Sequence, residues 1–220
     1  MALQHQPLTK LVGIACLAAL IYGCGASTPA VKKENSSQAQ TTAQPSTKVS
    51  VSQTQQRDDN TAQLSGEIEN QFNRGVRAMY DQNFDKAEEI FLSMTQNYPT
   101  LSGPFANLGS VLTSKKDYSN AELAFLRALQ LNKTNPETYN QLGLMYRQSG
   151  QFDKALEIYK LGLETAPSNT NLLRNTGILL ELYLGTPEAA LEYYQRYMEI
   201  KPNDKQVKIW IADLSQRIGQ

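Results

Sequence analysis

The sequence predicts an all-α fold, a solenoid of about four helix pairs with a C-terminal capping helix, preceded by a disordered linker. Three observations predict it. The tetrapeptide FDKA occurs at 84–87 and again at 152–155. Midway between the copies, YSNA at 118–121 keeps the order of an aromatic residue, two polar residues and alanine, so that the pattern recurs every 34 residues. Ahead of the repeats, residues 25–66 contain no aromatic residue.

Residues 1–23 have the pattern of a secretory signal peptide. Lys10 precedes an apolar run over 11–22, which is shorter than the ~20 residues that cross a bilayer as a helix, and small residues follow the run. The segment IYGC at 21–24 resembles the lipobox of bacterial lipoproteins, in which the cysteine, here Cys24, is lipidated and becomes the first residue of the mature protein. The alternative is an ordinary signal peptide or an uncleaved anchor with an incidental cysteine.

The lipobox implies where the protein is located and which cysteines remain in the mature chain. Gly25 rather than aspartate follows the cysteine, which by the usual enterobacterial sorting rule indicates the outer membrane, with the protein facing the periplasm. Cys16 and the single histidine, His5, would leave with the signal peptide. The mature chain would then form no disulfide and carry no imidazole.

Residues 24–66 are predicted to form the lipidated N-terminus and a disordered tether. The stretch is rich in Ser, Thr, Gln and Ala, and it cannot bury enough apolar surface to offset the entropy of ordering it. Flexible-coil scaling gives a chain of roughly 40 residues a span of about 35 Å. The tether would therefore let a folded domain stand away from the membrane.

Residues 67–204 contain four repeats in which small and aromatic residues recur at fixed offsets. Positions are counted from residues 68, 102, 136 and 170, and glycine takes the eighth position of each unit. Alanine takes the twentieth position, shifted by a one-residue insertion in the fourth unit, and an aromatic residue follows the alanine by four. In chain order the sets are Gly75, Gly109, Gly143 and Gly177; Ala87, Ala121, Ala155 and Ala190; and Phe91, Phe125, Tyr159 and Tyr194. Small residues let two helices approach closely, and a ring fills the space beside their crossing.

This pattern resembles the tetratricopeptide repeat, and the resemblance covers residues 68–204. It implies antiparallel helix pairs that stack into a right-handed superhelix. The superhelix would have a concave groove, lined mainly by the first helix of each pair, in which members of the family bind peptides or partner proteins.

Because a solenoid end needs a cover, we predict a capping helix over residues 205–220. Its apolar stripe consists of Val207, Trp210, Ile211, Leu214 and Ile218. We interpret Trp210 as a cap residue, with an anchor for a partner as the alternative. Tyr197 stands where the repeat usually has a small residue, so that either the fourth repeat is splayed or Tyr197 packs beneath the capping helix.

Position in the repeat also predicts which residues line the groove. They are Phe72, Asn73, Val76, Asn107, Gln141, Leu144, Arg147, Arg174, Asn175 and Ile178. Four of these share the sixth position and form an amide ladder, which could donate to and accept from an extended peptide backbone: Asn73, Asn107, Gln141 and Asn175. The alternative is that these amides bond neighbouring repeats. The carboxylate clamp of some family members is not reproduced, since only Asn107 matches it.

Other classes of function are disfavoured. Without histidine or free cysteine, no metal cluster can form from these ligands, and carboxylates alone would favour only hard ions, so we predict no metal and no cofactor. No Ser-His or Cys-His pair can be assembled either, and we predict no enzymatic activity. From residue 67 onward the chain contains 16 Lys and Arg and 18 Asp and Glu. No basic stripe that could bind phosphate groups is present in the sequence, so nucleic acid is not an expected partner.

We therefore expect a membrane-anchored scaffold that binds a peptide or protein partner in the bacterial envelope. Its architecture resembles the short outer-membrane tetratricopeptide lipoproteins that assist pilus or secretin assembly. The alternatives are an adaptor for cell-wall hydrolases or proteases in the periplasm, and an enzyme that uses carboxylates alone. The sequence also leaves open self-association through the ends of the solenoid.

Overall fold

The computed structural model describes residues 51–219, with the side chains of residues 63–219. The predicted signal peptide, Cys24 and residues 24–50 of the predicted tether lie outside the described residues. Every regular element in the described part is an α-helix. None of these helices is both long and apolar enough to span a bilayer.

Nine helices follow one another in residues 51–219. They are α1 (Val51–Tyr80), α2 (Phe84–Asn97), α3 (Ser102–Ser114), α4 (Tyr118–Leu131), α5 (Pro136–Gln148), α6 (Phe152–Thr165), α7 (Thr170–Leu182), α8 (Pro187–Ile200) and α9 (Lys205–Arg217). Each odd-numbered helix up to α7 pairs with the helix that follows it, and each pair packs on the next. The predicted solenoid of four helix pairs with a capping helix is confirmed.

Polar side chains fix where several helices begin. In five cases the residue before the helix accepts a hydrogen bond from a backbone N–H two or three residues later, which satisfies donors that the first turn leaves unpaired. These N-cap residues are Asn83, Asp117, Asn135, Asn169 and Asp204.

The first helix begins earlier than the sequence predicts. Residues 51–66, which we expected to belong to the disordered tether, form the N-terminal half of α1. No glycine or proline interrupts 51–65, and extending an existing helix costs far less than starting one. The helix that packs in the first pair can therefore continue N-terminally into this polar stretch.

A glycine against an aromatic ring forms the core of every helix pair. A Cβ atom built on Gly143 would lie 2.2 Å from Cε1 of Tyr159, so the ring rests directly on the backbone of α5. The equivalent pairs are Gly75 with Phe91, Gly109 with Phe125, and Gly177 with Tyr194. All four rings are buried. The predicted role of these positions in helix packing is confirmed.

The two tyrosines at this position differ in what their hydroxyl groups contact. Tyr194 Oη donates to the carboxylate of Glu181 at 3.0 Å, whereas the buried Tyr159 Oη has no hydrogen-bond partner among the described residues. We expect Tyr194→Phe to lower the free energy of unfolding by about 1–2 kcal/mol, and Tyr159→Phe to leave it unchanged or raise it by about 1 kcal/mol. Urea unfolding of both variants checks this, and equal losses would contradict it.

Each turn within a repeat contains one residue with positive φ. These residues are Gln82 (φ 56°), Lys116 (φ 64°), Gly150 (φ 77°) and Gly185 (φ 63°). Nothing lies within 4 Å of a Cβ built on Gly150, so Gly150→Ala would cost only backbone strain, about 1 kcal/mol. The converse change, Gln82→Gly, is expected to raise the free energy of unfolding by up to about 1 kcal/mol. Thermal melts of the two variants should shift in opposite directions.

The capping helix α9 closes the C-terminal end. Val207 and Leu214 are buried, and the Trp210 ring lies 5.7 Å from the ring of Tyr194, which supports its interpretation as a cap residue. Tyr197 is buried, and its Oη donates to Asp204, the N-cap of α9, at 2.7 Å. Of the two predicted arrangements for Tyr197, the structure therefore favours packing beneath the capping helix.

Candidate functional site

A groove runs along the first helices of the first three pairs. It has a volume of about 630 Å³ and is lined mainly by residues of α1, α3 and α5. Lys116, Tyr118 and Asn135, at the two ends of α4, complete the lining. Lys116 and Glu137 are its charged lining residues, so the groove has little net charge. The groove must therefore recognise a ligand through apolar contacts and neutral hydrogen-bonding groups.

The end of the groove nearest α1 is apolar. Phe72 and Met79 line it, and Phe72 meets Phe91 edge to face, with ring centroids 5.7 Å apart. A Cβ on Gly103 would lie 3.2 Å from Cε2 of Phe72. Because glycine has no side chain, the Phe72 ring can fit between α1 and α3. The ring is thus held by its surroundings and offers a fixed apolar surface.

Two amide side chains in the middle of the groove are held against their own helices. Asn107 Nδ2 donates to the carbonyl of Gly103 at 3.0 Å, and Gln141 Nε2 donates to the carboxylate of Glu137 at 2.7 Å. Each amide keeps its oxygen and its second N–H for another partner. One acceptor beside one donor is what a peptide group needs for a pair of hydrogen bonds.

Hydroxyl groups add acceptors on α3. Ser110 and Thr113 donate to carbonyls of their own helix at 3.2 Å and 2.8 Å, and both line the groove. Their oxygen lone pairs remain open to a donor. Neither residue is among those predicted from the sequence, although both stand at the ninth and twelfth positions of the second repeat, the offsets that predicted Leu144 and Arg147 in the third.

Four of the ten predicted groove residues line this groove: Phe72, Asn107, Gln141 and Leu144. Val76 and Ile178 are partly buried against the core, and Asn73 is exposed on α1 outside the lining. Arg147 and Arg174 also lie outside it, on α5 and α7. The amide ladder therefore contributes two of its four members to this surface.

Asn175 is the fourth member of that ladder and has a structural partner. It is buried, and its Nδ2 donates to Oδ1 of Asn140 at 2.7 Å, which joins α7 to α5. For Asn175 the interpretation that the amide bonds a neighbouring repeat is the one that the structure supports. Among residues 63–219, no cluster of three or more His, Cys, Asp or Glu side chains is arranged to hold a metal ion.

Comparisons with known proteins identify the repeat. Residues 134–203 match one family model of the tetratricopeptide repeat, and residues 104–135 match another. Among curated proteins, the chain is 34% identical over 113 residues to the BBSome complex member BBS4 of Bos taurus, a match that covers 51% of this chain and 21% of that protein. The chain thus spans about a fifth of the length of this relative.

Solved structures share the fold at low sequence identity. PilF of Pseudomonas aeruginosa superposes with a TM-score of 0.62 at 17% identity, over 70% of this chain and 69% of that chain. A thermophilic protein of the same repeat type from Thermus thermophilus superposes with a TM-score of 0.59 at 20% identity, over 67% of this chain and 80% of that chain. At these identities the likeness concerns the fold alone.

Proposed function

We propose that this chain, which contains tetratricopeptide repeats, is a scaffold that binds an extended segment of a partner protein along α1, α3 and α5. The observation that carries the proposal is the pair of amides, Asn107 and Gln141, each fixed by a hydrogen bond within its own helix. An amide held in place before binding loses little rotational freedom on binding, so more of its interaction energy contributes to affinity.

The chemistry of the groove fits a peptide backbone better than a particular side chain. Each amide offers one acceptor and one donor, and the serine and threonine hydroxyls offer acceptors. At the α1 end, Phe72 and Met79 can bury one apolar side chain of the segment. We therefore expect an extended stretch whose side chains are uncharged between Phe72 and Gln141, with an apolar residue toward α1.

Site-specific photocrosslinking in cells tests this. A photoreactive amino acid at position 107 or 141 is expected to capture a partner, whereas the same residue at Lys160, exposed on the second helix α6, is the matched control. Mass spectrometry of the crosslinked peptide should place the contact within one continuous segment. Capture at Lys160 alone would refute binding along the first helices.

The envelope location is the second part of the proposal. Lipidation of Cys24 would hold the domain beside the outer membrane and raise its concentration near membrane-bound partners. A groove of low affinity could then still bind such a partner. Given the likeness of this architecture to short tetratricopeptide lipoproteins, we propose pilus or secretin assembly as the pathway. Mass spectrometry of the purified chain should find acyl groups on Cys24, and Cys24→Ser should release the protein from the membrane. An unmodified cysteine would refute the anchor.

A further inference from the structure

Arg147 carries a charge that has no carboxylate partner among residues 63–219. Its Nη1 is buried without a hydrogen-bond partner in that part of the chain. Removing a guanidinium from water without a counter-charge is unfavourable. Arg147 as a whole is only partly buried, so an external group can reach the part of the side chain that remains exposed.

The neighbouring hydroxyl cannot act as the missing counter-ion. Tyr159 is close enough for the charge of Arg147 to affect it, yet burial raises the pKa of Tyr159 to about 12. The phenol therefore stays neutral at physiological pH. Its Oη is also buried without a hydrogen-bond partner among the described residues, so the third pair contains two unsatisfied polar groups.

The Arg147 guanidinium packs against the aromatic ring of Tyr183. The guanidinium carbon lies 5.6 Å from the centroid of the Tyr183 ring, and that ring packs against Phe152 at an interplanar angle of 43°, with centroids 4.9 Å apart. Tyr183 is 46% exposed. The turn that holds it, from α7 to α8, has four residues where the other three turns within repeats have three.

Arg147 lies on α5 beside the groove, just outside its lining. It follows the groove residue Leu144 by three positions, and residues three apart share a helix face. From Gln141 to Arg147 the helix rises about 9 Å, which corresponds to about three residues of extended chain. A segment whose backbone pairs with Gln141 would reach Arg147 about three residues later.

We infer that Arg147 is a carboxylate-binding subsite beside this groove, next to the exposed Tyr183 ring. The inference rests on the proposed function, because the carboxylate belongs to the bound segment. A carboxylate matches the planar fork of a guanidinium with two parallel hydrogen bonds, and it supplies the charge that the site lacks. The carboxylate can come from an Asp or Glu side chain or from the C-terminus of the segment.

Small carboxylates test the subsite in the full chain, solubilised in detergent. At constant ionic strength, Tm is measured against N-acetylalanine, which mimics a chain end, N-acetylglutamate α-amide, which mimics a side chain, and the neutral N-acetylalaninamide. We expect one or both carboxylates to give a saturable rise in Tm of about 3 °C at ten times Kd, and the neutral amide to give none. The carboxylate with the lower Kd identifies the source.

Two variants make the test specific. Arg147→Met should abolish the rise, while Arg174→Met, the other predicted groove arginine, should keep it. Without any carboxylate, Arg147→Met should melt at the same temperature or higher, because it removes an unpaired charge. A clearly lower Tm would show a structural role and overturn the inference, as would an equal rise in Arg147→Met or no rise in the wild type.

The outcome is separable from that of the proposed function. If crosslinking at positions 107 and 141 succeeds and the carboxylate effect is absent, the subsite is wrong and the groove stands. If the carboxylate effect requires Arg147 but crosslinking fails, the subsite stands as an anion site and the peptide-binding groove is wrong.

Discussion

Replacing Phe125 with alanine is expected to lower the free energy of unfolding by about 3–5 kcal/mol. The ring is fully buried between α3 and α4, and a Cβ on Gly109 would lie 2.9 Å from three of its atoms. Because glycine offers no side chain that could move into the vacated space, the cavity should persist. Domains commonly have a total stability of about 5–15 kcal/mol, so this loss is a large part of it.

Urea unfolding followed by circular dichroism measures the effect. The matched control is Leu123→Ala, which also truncates a large apolar side chain of α4 but one that is 66% exposed. We expect the control to change the free energy of unfolding by no more than about 0.5 kcal/mol. Similar losses in the two variants would show that the ring of Phe125 does not form the core of its pair.

Adding a single methyl group at Gly143 is the second large perturbation. Alanine has the better helix propensity by about 1 kcal/mol, yet its Cβ would stand 2.2 Å from Cε1 of Tyr159, where carbon atoms normally keep about 3.5–4 Å. Either α5 moves away from α6 or the buried ring leaves its position. We expect Gly143→Ala to lower the free energy of unfolding by about 1–3 kcal/mol.

Gly66 provides the control for Gly143. It also lies within a helix, but nothing stands within 4 Å of a Cβ built on it. Gly66→Ala should therefore leave the free energy of unfolding unchanged or raise it slightly. A double-mutant cycle with Tyr159→Leu should recover part of the loss at Gly143, since the smaller side chain makes room. If Gly143→Ala behaves like Gly66→Ala, the proposed contact between backbone and ring is wrong.

The core of the solenoid could be predicted from sequence because its constraint is local in the repeat. A glycine at the eighth position and a ring at the twenty-fourth meet across one helix pair, and the same steric solution recurs every 34 residues. Gly109 with Phe125 and Gly143 with Tyr159 therefore appear as a pattern before any coordinates exist. The capping stripe could be predicted for a different local reason, because Val207 and Leu214 follow the spacing of one helix face and both are buried.

The candidate site was less predictable because it depends on which partner each polar group finds. Asn107 and Asn175 share one repeat position, yet Asn107 bonds its own helix in the groove and Asn175 pairs with Asn140 in the interior. Tyr183 meets Arg147 where the fourth turn is longer by one residue, and repeat position does not report such a contact. Hydrogen-bond choice and turn geometry are settled only in three dimensions.

Hydrogen–deuterium exchange tests the central claim most directly, namely that the partner lies along the first helices of the repeats. The full chain is compared with and without a synthetic peptide of the segment identified by crosslinking. The account predicts slower exchange in α3 and α5, with α4 and α6 unchanged. Protection confined to α4 and α6, or absent from all four helices at a saturating peptide concentration, would contradict it.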